Sequence, residues 1–309
     1  MNGWAWQATS IAEQVGSSVT FVGNLLALII FLWSKRLRIK YYAFVINLVI
    51  ANLSDPILTF IYQYYDNDIL LALLRTGLFV AELNLLAIAV NRLLALSITP
   101  PARYDSLVTS GRLFVVCILL WLISAAIYLP STYVYNQVVI RLVRPLITLT
   151  ILLVTAVLYY IVFLKISRYT PPLASTPPLK DADEVTRTRM RQTRYMMVTV
   201  TIILVSSLIC WLPFCCANFY IYFSGKYYGR HTEEFKIMYT AFILLLMVNS
   251  AINPFIYWWR IAEFRDGLKR VVCCHCIRRQ NPDEDDPELE LYGGDNLGNT
   301  INSTINSNM

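Results

Sequence analysis

Polar or ionisable side chains lie inside otherwise apolar stretches, among them Asn24, Asn52, Asp55, Arg75, Glu82, Asn84, Arg92, Asn249 and Asn253. Such groups are costly in hydrocarbon and usually face a protein interior or a wet cavity, where they serve ion paths, proton relays or ligand contacts. Pro56, Pro145, Pro213 and Pro254 interrupt the same stretches. A proline inside a helix removes one backbone hydrogen bond and crowds the carbonyl four residues back. The Asn253-Pro254 pair in "NSAINPFIYWW" therefore couples a break with polar atoms, and the backbone it frees can be satisfied by Asn253, neighbouring helices and water. Glu82 is a lone carboxyl expected to be neutral, because burial penalises the charged form. It serves either as an acid bonded to a backbone carbonyl or as a proton-linked switch. Arg75 suits an anionic ligand group, or else snorkels to the interface or pairs with Asp55. Cys273, Cys274 and Cys276, in "CCHC", offer zinc-type ligands, but contiguous ligands match no usual structural zinc spacing. Cysteines just past an amphipathic helix at a membrane fit palmitoylation better.

The elements that hold these residues follow from composition. Of 309 residues 57% are hydrophobic and 15% charged, against about 25% charged in soluble domains. The apolar residues form seven runs near 14–33, 42–62, 69–96, 112–130, 138–165, 195–223 and 236–258, each long enough for a spanning helix of roughly 20 residues. The expected fold is all-α, a seven-helix membrane bundle over 14–258. It follows an extracellular N-terminus at 1–13 and precedes an amphipathic helix at 259–272 and a disordered cytosolic tail at 273–309. The tail is acidic and then polar and repetitive, a composition that buries too little to order itself.

Lys and Arg set the expected orientation. They crowd the loop after the first span (Lys35, Arg36, Arg38, Lys40), the loop before the sixth, and the segment after the seventh. The opposite loops hold few, among them Arg141, Arg144, Lys226 and Arg230. The N-terminus is thus expected outside and the C-terminus in the cytosol. The net charge of +6 reflects this asymmetry, and nucleic acid is not an expected partner. No basic region of a cleavable signal precedes the first span. All seven cysteines lie in spans or on the cytosolic side, so no extracellular disulfide is expected. His231 and His275 fall on opposite sides of the membrane, and no nucleophile or metal constellation points to an enzyme.

The motifs, in order, are "GNLLALIIF" with Asn24, "NLVIANL" with Asn52, "LLAIAVNRLLAL" with Asn91-Arg92, and "TPPARY". Trp121 and Pro145 follow, then "CWLPF" with Cys210, Trp211 and Pro213, "NPFIY" with Asn253, Pro254 and Tyr257, and "EFRDGLKR". The chain resembles a divergent class A (rhodopsin-like) G-protein-coupled receptor, and the likeness runs through all seven spans.

That resemblance implies a plasma-membrane receptor for a ligand that the sequence does not name. Its partners would be heterotrimeric G protein, and arrestin and a receptor kinase acting on the tail; no cofactor is implied. It makes Arg92, Asn91, Trp211, Pro213, Asn253, Pro254 and Tyr257 the activation switch, with Tyr257 swinging inward. Asn24, Asn52, Asn249, Ser250 and Glu82 form a polar network. Asn91 replaces the acid that usually restrains Arg92, and Thr193 replaces a charged partner near the sixth span, so raised basal activity is expected. Asn52 replaces the usual sodium-binding aspartate and Ala81 adds no side-chain oxygen, so a water network without sodium is expected. Glu82 should lie close to Pro145 and Ser207. The candidate ligand contacts are Tyr62, Arg75, Leu78, Trp211, Phe214, Asn218, Tyr239 and Ile243. Leu74 stands where amine receptors carry an aspartate, and Met247 where opsins carry the retinal-bearing lysine. The short stretch between Trp121 and Pro145 leaves little lid over the cavity. A non-coupling seven-span scaffold, or a transporter using Asp55, Arg75 and Glu82, remains the alternative.

Overall fold

The computed structural model describes residues 3–34, 37, 42–65, 67–98, 101–132, 136, 138–168, 180–224 and 233–272; the side chains of 180–196, 233–240 and 243, among others, lie outside that description. Seven long helices carry the chain back and forth: α1 Gly3–Trp33, α2 Ala43–Tyr64, α3 Asp68–Ser97, α5 Ser110–Tyr128, α6 Arg144–Ser167, α7 Lys180–Ser224 and α8 Glu233–Arg260. A short helix, α4 Pro101–Leu107, follows α3, and α9 Ala262–Val272 follows α8. The fold is an all-α seven-helix membrane bundle. Among the described residues, six helices are long and apolar enough to cross a membrane.

Local sequence sets several ends. Asn67 caps α3, its side-chain oxygen accepting from the Ile69 N–H at 2.8 Å, and Asp68 in the first turn complements the helix dipole. Thr109 caps α5 through the Arg112 N–H at 3.4 Å. The break expected at Pro145 takes the form of a π-turn, Val139–Val143. It leaves the proline in the first turn of α6, where a missing N–H costs no intrahelical bond.

Helix α3 is the axis of the bundle, packing against α2, α5, α6 and α7. Helix α1 lies against α2 and α8. The approach of α1 to α8 depends on glycine, because a Cβ on Gly23 would come 3.3 Å from the Pro254 ring and one on Gly16 3.3 Å from the Met247 sulfur. Helix α5 is mostly bare, with only Leu113, Ser124 and Tyr128 buried. The chain divides into two units, Met1–Gly267 and Leu268–Met309. In the first, Ile261 and Phe264 are buried while Glu263 and Asp266 face outward, the amphipathic pattern expected of "EFRDGLKR". The described part of the second, Leu268–Val272, continues α9.

Candidate functional site

The break in α8 is held from another helix. Pro254 has no N–H to give the Ser250 carbonyl. The Asn24 side chain of α1 supplies that donor instead, its Nδ2 lying 3.2 Å from Ser250 O and 2.9 Å from Thr20 O. Ser250 Oγ in turn lies 3.3 Å from both Asn52 Oδ1 and Asp55 Oδ2 on α2. Asn249 Oδ1 accepts from Ser207 at 3.1 Å and Ser206 at 3.4 Å, both on α7. Asn52, Glu82, Trp211, Asn249, Ser250 and Asn253 border a cavity of about 10 Å³, close to the space one water requires. Asn52 Nδ2 and Asn253 Oδ1 have no protein partner, so the cavity has polar atoms ready to order water. Gly77 lets α3 approach this network closely: a Cβ there would fall 2.6 Å from Ser54 Oγ and 2.9 Å from Asp55 Oδ1.

Glu82 is 2% exposed. The Thr148 hydroxyl approaches its carboxyl, yet neither oxygen has a partner at hydrogen-bonding geometry. The backbone-carbonyl bond expected for a structural acid is therefore absent. Glu82 shares the cavity with Ser207 as expected, but toward α6 it meets Thr148, one turn beyond Pro145. Trp211 packs edge-to-face on Phe214 at 5.6 Å, and Phe214 likewise on Phe242 at 5.7 Å. This aromatic run leads from the cavity past Pro213 of α7.

At one end of the bundle, called here the Arg92 end, Arg92 and Asn91 are buried. Asn91 Oδ1 accepts from the Tyr104 hydroxyl at 2.9 Å, which pins α4 to α3. Tyr159 of α6 lies within electrostatic reach of Arg92. Tyr257 is wedged between Phe31 and Phe264, 5.6 and 6.1 Å between ring centres. The hydroxyls of Tyr159 and Tyr257 are both buried without a partner. A buried unpaired hydroxyl costs about 1–3 kcal/mol, so a rearrangement that gave them partners would recover it.

At the opposite, Arg75 end, Arg144 of α6 is 6% exposed and lies over the Tyr128 ring, 4.8 Å from its centre. The charge of Arg75 on α3 acts on both Arg144 and Tyr128. Arg141 Nη1 donates to Asn218 Oδ1 at 3.4 Å, joining the π-turn to α7.

Residues 23–257 match the family described as 7 transmembrane receptor (rhodopsin family). The chain belongs to this family. The receptor is 29% identical to mouse melanocortin receptor 5 over 63% of this chain and 57% of that protein. It is 26% identical to dog adenosine receptor A2a over 91% of this chain and 75% of that one. It thus spans 57% of the length of the mouse protein. These relatives are receptors, not enzymes.

Asn24, Asn52, Asn249 and Ser250 meet around α8, with Glu82, Trp211 and Asn253 at the same cavity, whereas Arg92 and Asn91 lie apart from them at the Arg92 end, where Asn91 accepts from Tyr104 of α4. Of the partners expected for the carbonyl freed by Pro254, a neighbouring helix supplies the donor, Asn24 of α1. Of the candidate ligand contacts, Asn218 is engaged by Arg141, Phe214 belongs to the aromatic run, and Leu78 borders the central cavity. Tyr62 is half-buried on α2, and Arg75 does not pair with Asp55, whose Oδ2 is served by Ser250. The side chains of Tyr239, Ile243 and Thr193, and Cys273, Cys274 and Cys276, lie outside the described residues. The sequence reading missed Arg144, placing it in a loop. Its position directly before Pro145 was the available signal, since a proline favours a first helical turn.

Proposed function

We propose that the receptor couples an extracellular or membrane-borne ligand to heterotrimeric G protein at the plasma membrane. In this reading the N-terminus is outside and the Arg92 end faces the cytosol. One observation supports it above the rest. The α8 segment is weakened by Pro254, its freed carbonyl is held by a single amide from α1, and it ends in Tyr257 with a buried, unpaired hydroxyl. That segment loses one bond and gains others by rotating, which is what a two-state element requires.

Arg92, exposed by movement of α7, would receive the G protein. Its neighbour Asn91 carries no charge and gives its oxygen to Tyr104, so ligand-free activity should be raised. Arrestin and a receptor kinase would act on the Ser and Thr residues of the tail, and Cys273, Cys274 and Cys276 would carry palmitate.

The test is ligand-free nucleotide exchange on a panel of G proteins, with wild type and Arg92→Ala at matched surface expression. Exchange that Arg92→Ala abolishes supports coupling and identifies the subtype. Exchange unaffected by Arg92→Ala, or none in either protein, overturns the basally active coupler.

A further inference from the structure

The buried arginine at the Arg75 end has a donor edge that nothing uses. Arg144 Nε and Nη2 are both buried and both lack a hydrogen-bond partner. These two nitrogens lie along one side of the guanidinium plane and point in parallel. They form the fork that a carboxylate or phosphate bridges with two oxygens. A disordered surface arginine would present all its nitrogens to solvent; here the fork alone is left over inside the bundle.

The surroundings favour a negative group. Arg75 places a second positive charge within reach, and among the described residues no carboxylate pairs with either arginine. Glu82 acts on Tyr128 and not on Arg144. The Arg144 guanidinium carbon sits over the Tyr128 ring, 4.8 Å from its centre, a contact that helps hold the guanidinium in place. Two like charges drawn together in a low-dielectric interior repel each other. A negative group at the fork would offset that repulsion. Val143 and Leu146, on either side of the Arg144-Pro145 pair, are exposed on the bundle's flank, so an anion carrying an alkyl chain could lay it beside the site.

We infer that the unpaired fork of Arg144, seconded by Arg75 and seated on Tyr128, is the subsite that binds the anionic group, carboxylate or phosphate, of this receptor's ligand. The inference rests on the receptor reading and names the class of ligand that reading leaves open. Its chemistry is shared by a lipid headgroup and by a free anionic solute.

The test uses purified full-length receptor in phosphatidylcholine nanodiscs, following the thermal unfolding midpoint as probe is added. The probes are dodecyl phosphate, laurate, dodecanol and inorganic phosphate. The expected result is a saturable upward shift with an anionic probe and none with dodecanol. Arg144→Met should raise the half-maximal probe concentration by about tenfold or more, and Arg144→Lys, which keeps the charge but loses the fork, by a smaller factor. Shifts with inorganic phosphate as well as the amphiphiles assign a free anion; shifts with the amphiphiles alone assign a lipid-like ligand. Equal responses of wild type and Arg144→Met overturn the site, as does an equal response to dodecanol.

Without probe, Arg144→Met should unfold at or above the wild-type midpoint, because it removes a buried charge with unpaired donors. A marked fall in a variant that still folds would show that the protein already satisfies this arginine, and would also overturn the inference. Should that variant not fold, Arg75→Gln must still weaken the anionic probes several-fold. No G protein is present, so failure here leaves the coupling proposal standing, while loss of coupling with probe binding retained would refute only that proposal.

Discussion

Asn24 and Pro254 should be energetically coupled, and a double-mutant cycle can measure by how much. Asn24→Ala removes the donor 3.2 Å from Ser250 O and leaves a buried carbonyl bare, a loss of about 1–3 kcal/mol. The bond to Thr20 O matters less, since that oxygen keeps its own helical N–H. Asn24 Oδ1 is itself buried without a partner, and its removal offsets part of the loss. A net destabilisation of about 1–2 kcal/mol is expected. In a Pro254→Ala background the new peptide N–H of residue 254 can bond to Ser250 O, as in an ordinary helix. There, Asn24→Ala should cost under about 0.5 kcal/mol, giving a coupling of about 1 kcal/mol or more, beyond the ~0.3–0.5 kcal/mol within which independent sites add. The assay is reversible unfolding of the four purified proteins in mixed micelles with increasing sodium dodecyl sulfate. Additive effects would refute the claim that Asn24 serves the bond the proline removed.

Gly77→Ala should destabilise by about 1–3 kcal/mol, since its Cβ would strike Ser54 Oγ and Asp55 Oδ1 and overpacking costs that much; adding Ser54→Ala should restore part of the loss in the same unfolding assay. Asn91→Asp keeps the acceptor for Tyr104 and adds a charge beside Arg92, so ligand-free nucleotide exchange should fall, and exchange equal to wild type would sink the loosened restraint. Glu82→Gln should remove the pH dependence of signalling, because the carboxyl is the ionisable member of its cavity; identical pH responses in the two proteins would rule out a proton switch there. Replacing sodium by N-methylglucamine should leave agonist binding unchanged, since Asn52 and Ala81 bring no carboxylate to the cavity and the acid that borders it, Glu82, is expected to be neutral because burial penalises the charged form.

The spans were legible because hydrocarbon thickness sets their length: the run at 42–62 became Ala43–Tyr64, and that at 112–130 became Ser110–Tyr128. Where polar sequence continues a helix, hydropathy carries no signal. Thus α1 begins at Gly3 and α7 at Lys180, both well before the apolar runs that announce them. The residue types around the α8 break were also legible, because Asn and Pro in apolar surroundings demand explanation. Their pairing was not. Which amide meets Ser250 O depends on how α1 packs on α8, and that depends on Gly16 and Gly23 leaving room. Arg144 failed for a related reason: a charge near a span end reads as a loop residue until the tertiary structure encloses it.

The thin attachment of α5 has a consequence for how much its sequence must specify. Trp121 Nε1 donates to Asn47 Oδ1 at 3.0 Å, and Asn47 Nδ2 donates to Asn84 Oδ1 at 2.9 Å, so one indole ties this helix to the amides of α2 and α3. Phe114, Val115, Ile118, Leu119, Leu122 and Ile123 are all exposed along its length. Those positions need only be apolar; their individual shapes carry almost no instruction. Information in α5 is concentrated at Trp121 and the few residues that touch α3, so its exposed positions can be recoded among apolar residues with little effect on the bundle.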